Sequence, residues 1–198
     1  MKRAITISLA ILAAQAATVA HGETSPSTTT STATTYTVVL AGGSEQSTIR
    51  IWLTPDGRTY VIDSAAPLEV GGTVCENSPG NANELVCKAP MVAGFEFNAG
   101  SGDDTVTVSK AIEIPVTMRG GAGQDLLVGG SGPDKLIGGP GNDHLAGRGG
   151  DDLIYGGPGN DVIVGGPGND VLRGGPGQNS VNGGPGENDV RQSLRALI

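Results

Sequence analysis

The chain has 198 residues, with 12 Lys+Arg against 20 Asp+Glu and a net charge of −8. That acidity makes nucleic acid and anionic membranes poor partners and cations natural ones. Aromatic residues at 3% exclude a large conventional core, and 34 Gly with 12 Pro would signal disorder unless the glycines are periodic.

In chain order, residues 1–22 read as a secretory signal peptide. Lys2 and Arg3 form its positive start, and Ala4 to Ala17 is mostly small or apolar. Cleavage fits after Ala20 or after Gly22. The apolar run is shorter than the ~20 residues a membrane-spanning helix needs. The expectations are therefore a secreted, extracellular protein and no membrane span. Residues 23–35 form a Ser/Thr-rich linker containing Pro26.

Residues 36–98 read as a small antiparallel β module. Its predicted strands are Tyr36–Leu40, Ile49–Leu53, Thr59–Ile62, Thr73–Cys75, Leu85–Cys87 and Phe95–Phe97, with Pro55-Asp56-Gly57 as a hairpin turn. Cys75 and Cys87 are the two cysteines, and they flank a polar loop from Glu76 to Glu84. In a secreted chain that arrangement favours a disulfide. The rival reading, a two-cysteine metal site, has no histidine nearby. The module is expected to cover the open N-terminal end of the repeats that follow, because terminal repeats need caps.

From Gly120 to Arg191 the chain aligns in nines without a gap: GGAGQDLLV, GGSGPDKLI, GGPGNDHLA, GRGGDDLIY, GGPGNDVIV, GGPGNDVLR, GGPGQNSVN and GGPGENDVR. Gly holds positions 1 and 4 throughout, and position 2 everywhere except at Arg148. Position 6 is Asp125, Asp134, Asp143, Asp152, Asp161 and Asp170, then Asn179 and Asn188. Position 8 is always aliphatic. A flexible linker would not hold an aliphatic residue at one phase. Glycines permit tight turns that bring carbonyls close to an ion. Positions 7–9 make a short strand whose middle residue points inward. One unit is then half a turn of a flattened coil, and eighteen residues complete it.

That stacking sets carboxylates of alternate units above one another. Asp125, Asp143, Asp161 and Asn179 share one edge, and Asp134, Asp152, Asp170 and Asn188 share the other. Such rows repel unless a cation lies between turns. Oxygen donors without thiol or imidazole select Ca²⁺ over zinc, copper or Mg²⁺. An upstream echo, Ala99 to Thr107, places Asp104 at position 6 and Val106 at position 8. Its spacing to Gly120 exceeds nine by three. A half-turn with a three-residue insertion keeps Asp104 on the edge of Asp125, whereas looping the segment out removes it.

These units resemble the hemolysin-type, or RTX, calcium-binding repeat GGxGxDxUx. The resemblance implies an all-β fold, a right-handed parallel β-roll. It also implies several Ca²⁺ ions between turns, held by position-6 carboxylates and carbonyls of the Gly-rich turns. Carried over, two-Asp sites join Asp125 with Asp143, Asp143 with Asp161, Asp134 with Asp152, and Asp152 with Asp170. Asn179 and Asn188 depart from the pattern and imply weaker or empty sites.

The roll is expected in residues 99–191 and a short helical cap in 192–198. Calcium binding is the expected function, with folding of the roll coupled to it. The alternative is an adhesive or structural role at a cell surface or envelope. Catalysis is not expected. H-E-x-x-H, G-x-S-x-G and a Walker A loop are all missing, and the histidines are His21, at the signal, and His144, at an outward-facing position 7.

Overall fold

A three-residue strand makes too few hydrogen bonds to stand alone, so each nonapeptide depends on the turns before and after it. The computed structural model describes residues 36–41, 46–64, 75–89 and 92–192. The strands begin with β1 (Tyr36–Ala41), β2 (Thr48–Leu53), β3 (Thr59–Ser64), β4 (Cys75–Ser78), β5 (Asn81–Lys88), β6 (Val92–Ser101), β7 (Thr105–Val108) and β8 (Val116–Ala122). One strand per nonapeptide follows: β9 (Leu126–Val128), β10 (Lys135–Ile137), β11 (His144–Ala146), β12 (Leu153–Tyr155), β13 (Val162–Val164), β14 (Val171–Arg173), β15 (Ser180–Asn182) and β16 (Asp189–Arg191). Each of these eight occupies positions 7–9. No α-helix occurs among the described residues.

Successive roll strands alternate between two sheets. One runs β1-β6-β8-β10-β12-β14-β16, and the other β15-β13-β11-β9-β7-β2-β3-β5-β4. Within the repeat every pair is parallel with an 18-residue register. Leu126 lies opposite His144, His144 opposite Val162 and Val162 opposite Ser180. Lys135, Leu153, Val171 and Asp189 do the same on the facing sheet. This is the expected parallel β-roll, two nonapeptides to a turn.

Position 8 fills its interior. Val106, Leu127, Leu145 and Ile163 form one buried column, and Met118, Leu136, Ile154 and Leu172 the other. The spine is one aliphatic residue wide per sheet, which explains how so few hydrophobic residues suffice. It thins toward its last turn, where Val181 is only partly buried and Val190 is 40% exposed.

The roll starts before the repeat. β1 pairs in parallel with β6, β6 with β8, and β2 with β7. The boundary expected at residues 98 and 99 therefore falls inside β6. Only β3, β5 and β4 are antiparallel, and they continue the nine-stranded sheet past β2. The bulky side chains gather at this end. Tyr60 meets Phe95 edge-on at 5.2 Å between ring centroids, and Phe95 stacks on Phe97 at 6.2 Å.

Cys75 and Cys87 lie opposite each other on β4 and β5 and form a disulfide with Cα atoms 4.1 Å apart. The stretch expected as a polar loop is instead a hairpin, with Pro79 and Gly80 at its turn and Gly80 at φ +79°. The glycine supplies the left-handed residue this tight reversal needs. Replacing both cysteines by alanine should lower the unfolding free energy by about 2–3 kcal/mol, the loop-closure value for so short a ring. Denaturant unfolding of the calcium-loaded protein checks this.

The expected signal peptide (1–22), linker (23–35) and C-terminal cap beyond residue 192 lie outside the described residues, as do Thr73 and Val74. No helix among the described residues is long and apolar enough to cross a membrane.

Candidate metal centre

Positions 1–6 of each unit turn the chain from one sheet to the other and leave the position-6 side chain inside that turn. The structure gathers all nine sequence-predicted site residues into two ladders. On one edge the Ser47 N–H donates to Asp104 Oδ1 at 2.6 Å, Asp104 N–H to Asp125 Oδ1 at 2.8 Å, and Asp125 N–H to Asp143 Oδ1 at 2.9 Å. Asp143 N–H then donates to Asp161 Oδ1 at 3.0 Å, and Asp161 N–H to Asn179 Oδ1 at 2.8 Å. On the other edge the same bond links Val116 to Asp134 at 2.9 Å, Asp134 to Asp152 at 2.8 Å, Asp152 to Asp170 at 2.9 Å and Asp170 to Asn188 at 2.8 Å.

Asp104 stands in line because β7 pairs with β9 at a spacing of 21 residues, one turn plus the three-residue insertion. The extra residues are taken up between β7 and β8, on the opposite edge. There Val116 occupies the place one turn before Asp134.

One carboxylate oxygen is thus spent on the backbone. The other is not. Oδ2 of Asp104, Asp125, Asp143, Asp152, Asp161 and Asp170 is buried without a hydrogen-bond partner. The seven aspartates of the ladders are each 2% exposed or less. A buried carboxylate oxygen left unpaired is costly unless a charge of opposite sign meets it. The cost shows in their acidity. Burial pushes the Asp134 and Asp143 carboxyls up to about 6 and Asp152 up to about 7, with neighbouring aspartates adding to the rise at Asp143 and Asp152. Asp104, Asp125, Asp161 and Asp170 move the same way for the same first reason.

The space beside Oδ2 is lined by main-chain oxygen. A Cβ on Gly156 would press on the Asp161 carboxylate and sit 2.6 Å from the Gly174 carbonyl oxygen. Gly138 and Gly165 stand in the same relation to Asp143 with Gly156 O and to Asp170 with Gly183 O, again at 2.6 Å. The glycine at position 1 keeps a cradle open. Gly156→Ala should fill it, and native mass spectrometry at millimolar calcium should then show one ion fewer.

The asparagine units show what neutral chemistry does there. Asn179 Nδ2 donates to Gly175 O at 2.9 Å and Asn188 Nδ2 to Gly184 O at 3.0 Å. In the aspartate units other than that of Asp134 the corresponding atom is an oxygen, Oδ2, which meets no proton donor. A cation resolves that deficit. Among the described residues no three His, Cys, Asp or Glu side chains cluster as a ligand set. The donors are carboxylate oxygens supplemented by carbonyls, which suits a hard ion of variable coordination such as Ca²⁺.

Position 5 carries a second ladder that the sequence reading passed over. Oδ1 of Asp103, Asn142, Asp151, Asn160 and Asn169 accepts the N–H of the position-5 residue one turn later, at 2.7–2.9 Å. The signal was present, since position 5 is Asn, Asp, Gln or Glu in every unit but the one with Pro133. His144 lies exposed on β11.

A family model described as the RTX calcium-binding nonapeptide repeat (4 copies) matches residues 119–154 and again residues 155–190. Residues 119–190 thus match the RTX calcium-binding repeat. The two matches span all of the eight units but their last residue, Arg191, so the ladders of buried carboxylates lie in a segment similar to repeats described as calcium-binding. No curated protein and no solved structure matches the chain.

Proposed function

We propose that this protein is an extracellular calcium-binding protein whose RTX roll folds as it takes up the ion. The observation that carries this reading is the set of six buried Oδ2 atoms without partners, five of them beside the position-1 glycine of a repeat. The ions bridge Asp125 with Asp143, Asp143 with Asp161, Asp134 with Asp152, and Asp152 with Asp170, and a further one joins Asp104 with Asp125. Asn179 and Asn188 end the two ladders without calcium, because their amides meet the turn carbonyls directly.

Coupling to folding follows from charge and entropy. Without the ion the rows of like charge repel, and the glycine turns carry a large conformational entropy. Extracellular calcium modules bind at roughly 10⁻⁴–10⁻³ M. Such a chain stays loose where calcium is scarce and orders itself outside the cell, and residues 1–22 have the composition of a signal that would take it there.

The test is circular dichroism in chelator and at millimolar calcium, paired with calorimetric titration. A gain of strand signal with several bound ions is expected. A spectrum that calcium leaves unchanged, with no heat of binding, would overturn the reading.

One observation favours a second reading. The outer sheet faces expose Leu126, Tyr155, Val162 and Val164 at 37–41%. A calcium-stiffened rod with such faces suits adhesion to an envelope or cell surface. Cell fractionation separates the two, with release to the medium expected for the first reading and tight envelope retention for the second.

A further inference from the structure

Arg148 breaks the repeat, standing where seven of the eight units have glycine. Its φ of +81° is the one left-handed value at a non-glycine residue among those described. A long side chain held in that region persists only where the surroundings fix it. Here its own guanidinium does so. Nη1 reaches back across the turns to donate to Val108 O at 2.5 Å and to Gly129 O at 3.1 Å.

Those carbonyls belong to the start of the Asp134 edge, and three further features of that place differ from the rest of the roll. Val116 stands one turn before Asp134, so the first interval holds one carboxylate rather than two. Gly130 lacks the positive φ of the other position-2 residues, and its N–H donates to Asp134 Oδ2 at 2.7 Å. Asp134 is accordingly the one ladder aspartate whose Oδ2 has a partner.

We propose that the Arg148 guanidinium is a built-in cation that replaces calcium where the Asp134 edge begins, so that this end of the roll closes without the ion. Charge balance supports it: each later interval sets two carboxylates about a divalent ion, and the first sets one carboxylate, Asp134, within the field of one monovalent guanidinium that is held on the neighbouring carbonyls. Two N–H···O bonds to carbonyls from different turns do the bridging that an ion's coordination does in the later intervals. The roll then has a closed, calcium-independent start against which the calcium-dependent turns can stack. This inference rests on the calcium reading given above.

The test compares the full chain with its Arg148→Gly variant. Glycine is the residue the other units carry and the one that φ +81° suits, so the variant retains a foldable turn. Two readouts are taken: the number of ions bound at millimolar calcium by native mass spectrometry, and hydrogen exchange in chelator. The variant is expected to bind one calcium more than the parent. In chelator its amides at Val116, Gly130 and Asp134 should exchange at least about tenfold faster than the parent's, and calcium should close that gap. An equal, non-zero count in both proteins, or exchange in chelator that ignores the substitution, overturns the role of Arg148 and leaves the calcium reading standing. A parent that binds no calcium overturns the reading beneath it.

Discussion

Asp143→Ala should raise the calcium needed for half-maximal folding by about tenfold, equivalent to roughly 1.4 kcal/mol of lost binding, and should remove at least one ion from the count. Asp143 stands mid-edge, between Asp125 and Asp161, and its carboxylate does two things. Oδ1 accepts the Asp125 N–H at 2.9 Å, while Oδ2 is buried with no partner in the protein. Alanine removes both oxygens and strands a buried N–H, itself a loss of about 1–3 kcal/mol. Asp143→Asn separates the two roles. Asn179 already shows the outcome: its Oδ1 keeps the bond to the Asp161 N–H, and its Nδ2 turns to the Gly175 carbonyl. In chelator, therefore, the Asn variant should be at least as stable as the parent and the Ala variant less stable. In saturating calcium the parent should exceed both. Calcium titrations of the parent and of Asp143→Asn that superimpose would show that the carboxylate charge is not a ligand.

The parts of the fold that follow from one repeated local rule were legible in the sequence. Position 8 at a fixed phase gave the spine from Leu127 to Leu172 and position 6 gave the two ladders, whereas the three-residue surplus before Gly120 left Asp104 open between the edge and a looped-out segment until its pairing with Asp125 was seen. What was not legible depends on partners far away in the chain. Thr48 pairs with Thr105, 57 residues on, because β3, β4 and β5 intervene. Nothing in the alternation of Ile49, Ile51 and Leu53 distinguishes a strand with two antiparallel neighbours from one with a parallel partner on one side. The stretch from Glu76 to Glu84 was polar enough to suggest a loop, yet β4 and β5 carry it because one face of each strand needs no apolar residue. Arg148 looked like a lapse from the pattern. Its meaning depends on Val108 O and Gly129 O, which the sequence does not place beside it.

Stability should respond to pH with opposite sign in the absence and presence of calcium. In the calcium-free roll, burial and neighbouring aspartates hold the proton on Asp143 up to about 6 and on Asp152 up to about 7. In the unfolded chain an aspartate loses its proton near 3.9. A folded value above the unfolded one means a contribution fully present below about pH 4 and lost as pH rises through about 6 to 7. In chelator the roll should therefore melt at a higher temperature at pH 5 than at pH 8. Calcium reverses the order, because the ion requires the deprotonated carboxylate and its binding releases the proton. In millimolar calcium the melting temperature should be higher at pH 8. The half-saturating calcium concentration should fall by about tenfold or more between pH 5.5 and pH 7.5 as the competing protons leave. Melting temperatures that shift in the same direction with pH in both conditions would separate the buried carboxylates from calcium uptake. Opposite shifts would tie both to the same oxygens, since only a group that prefers a proton when empty and an ion when loaded reverses its sign.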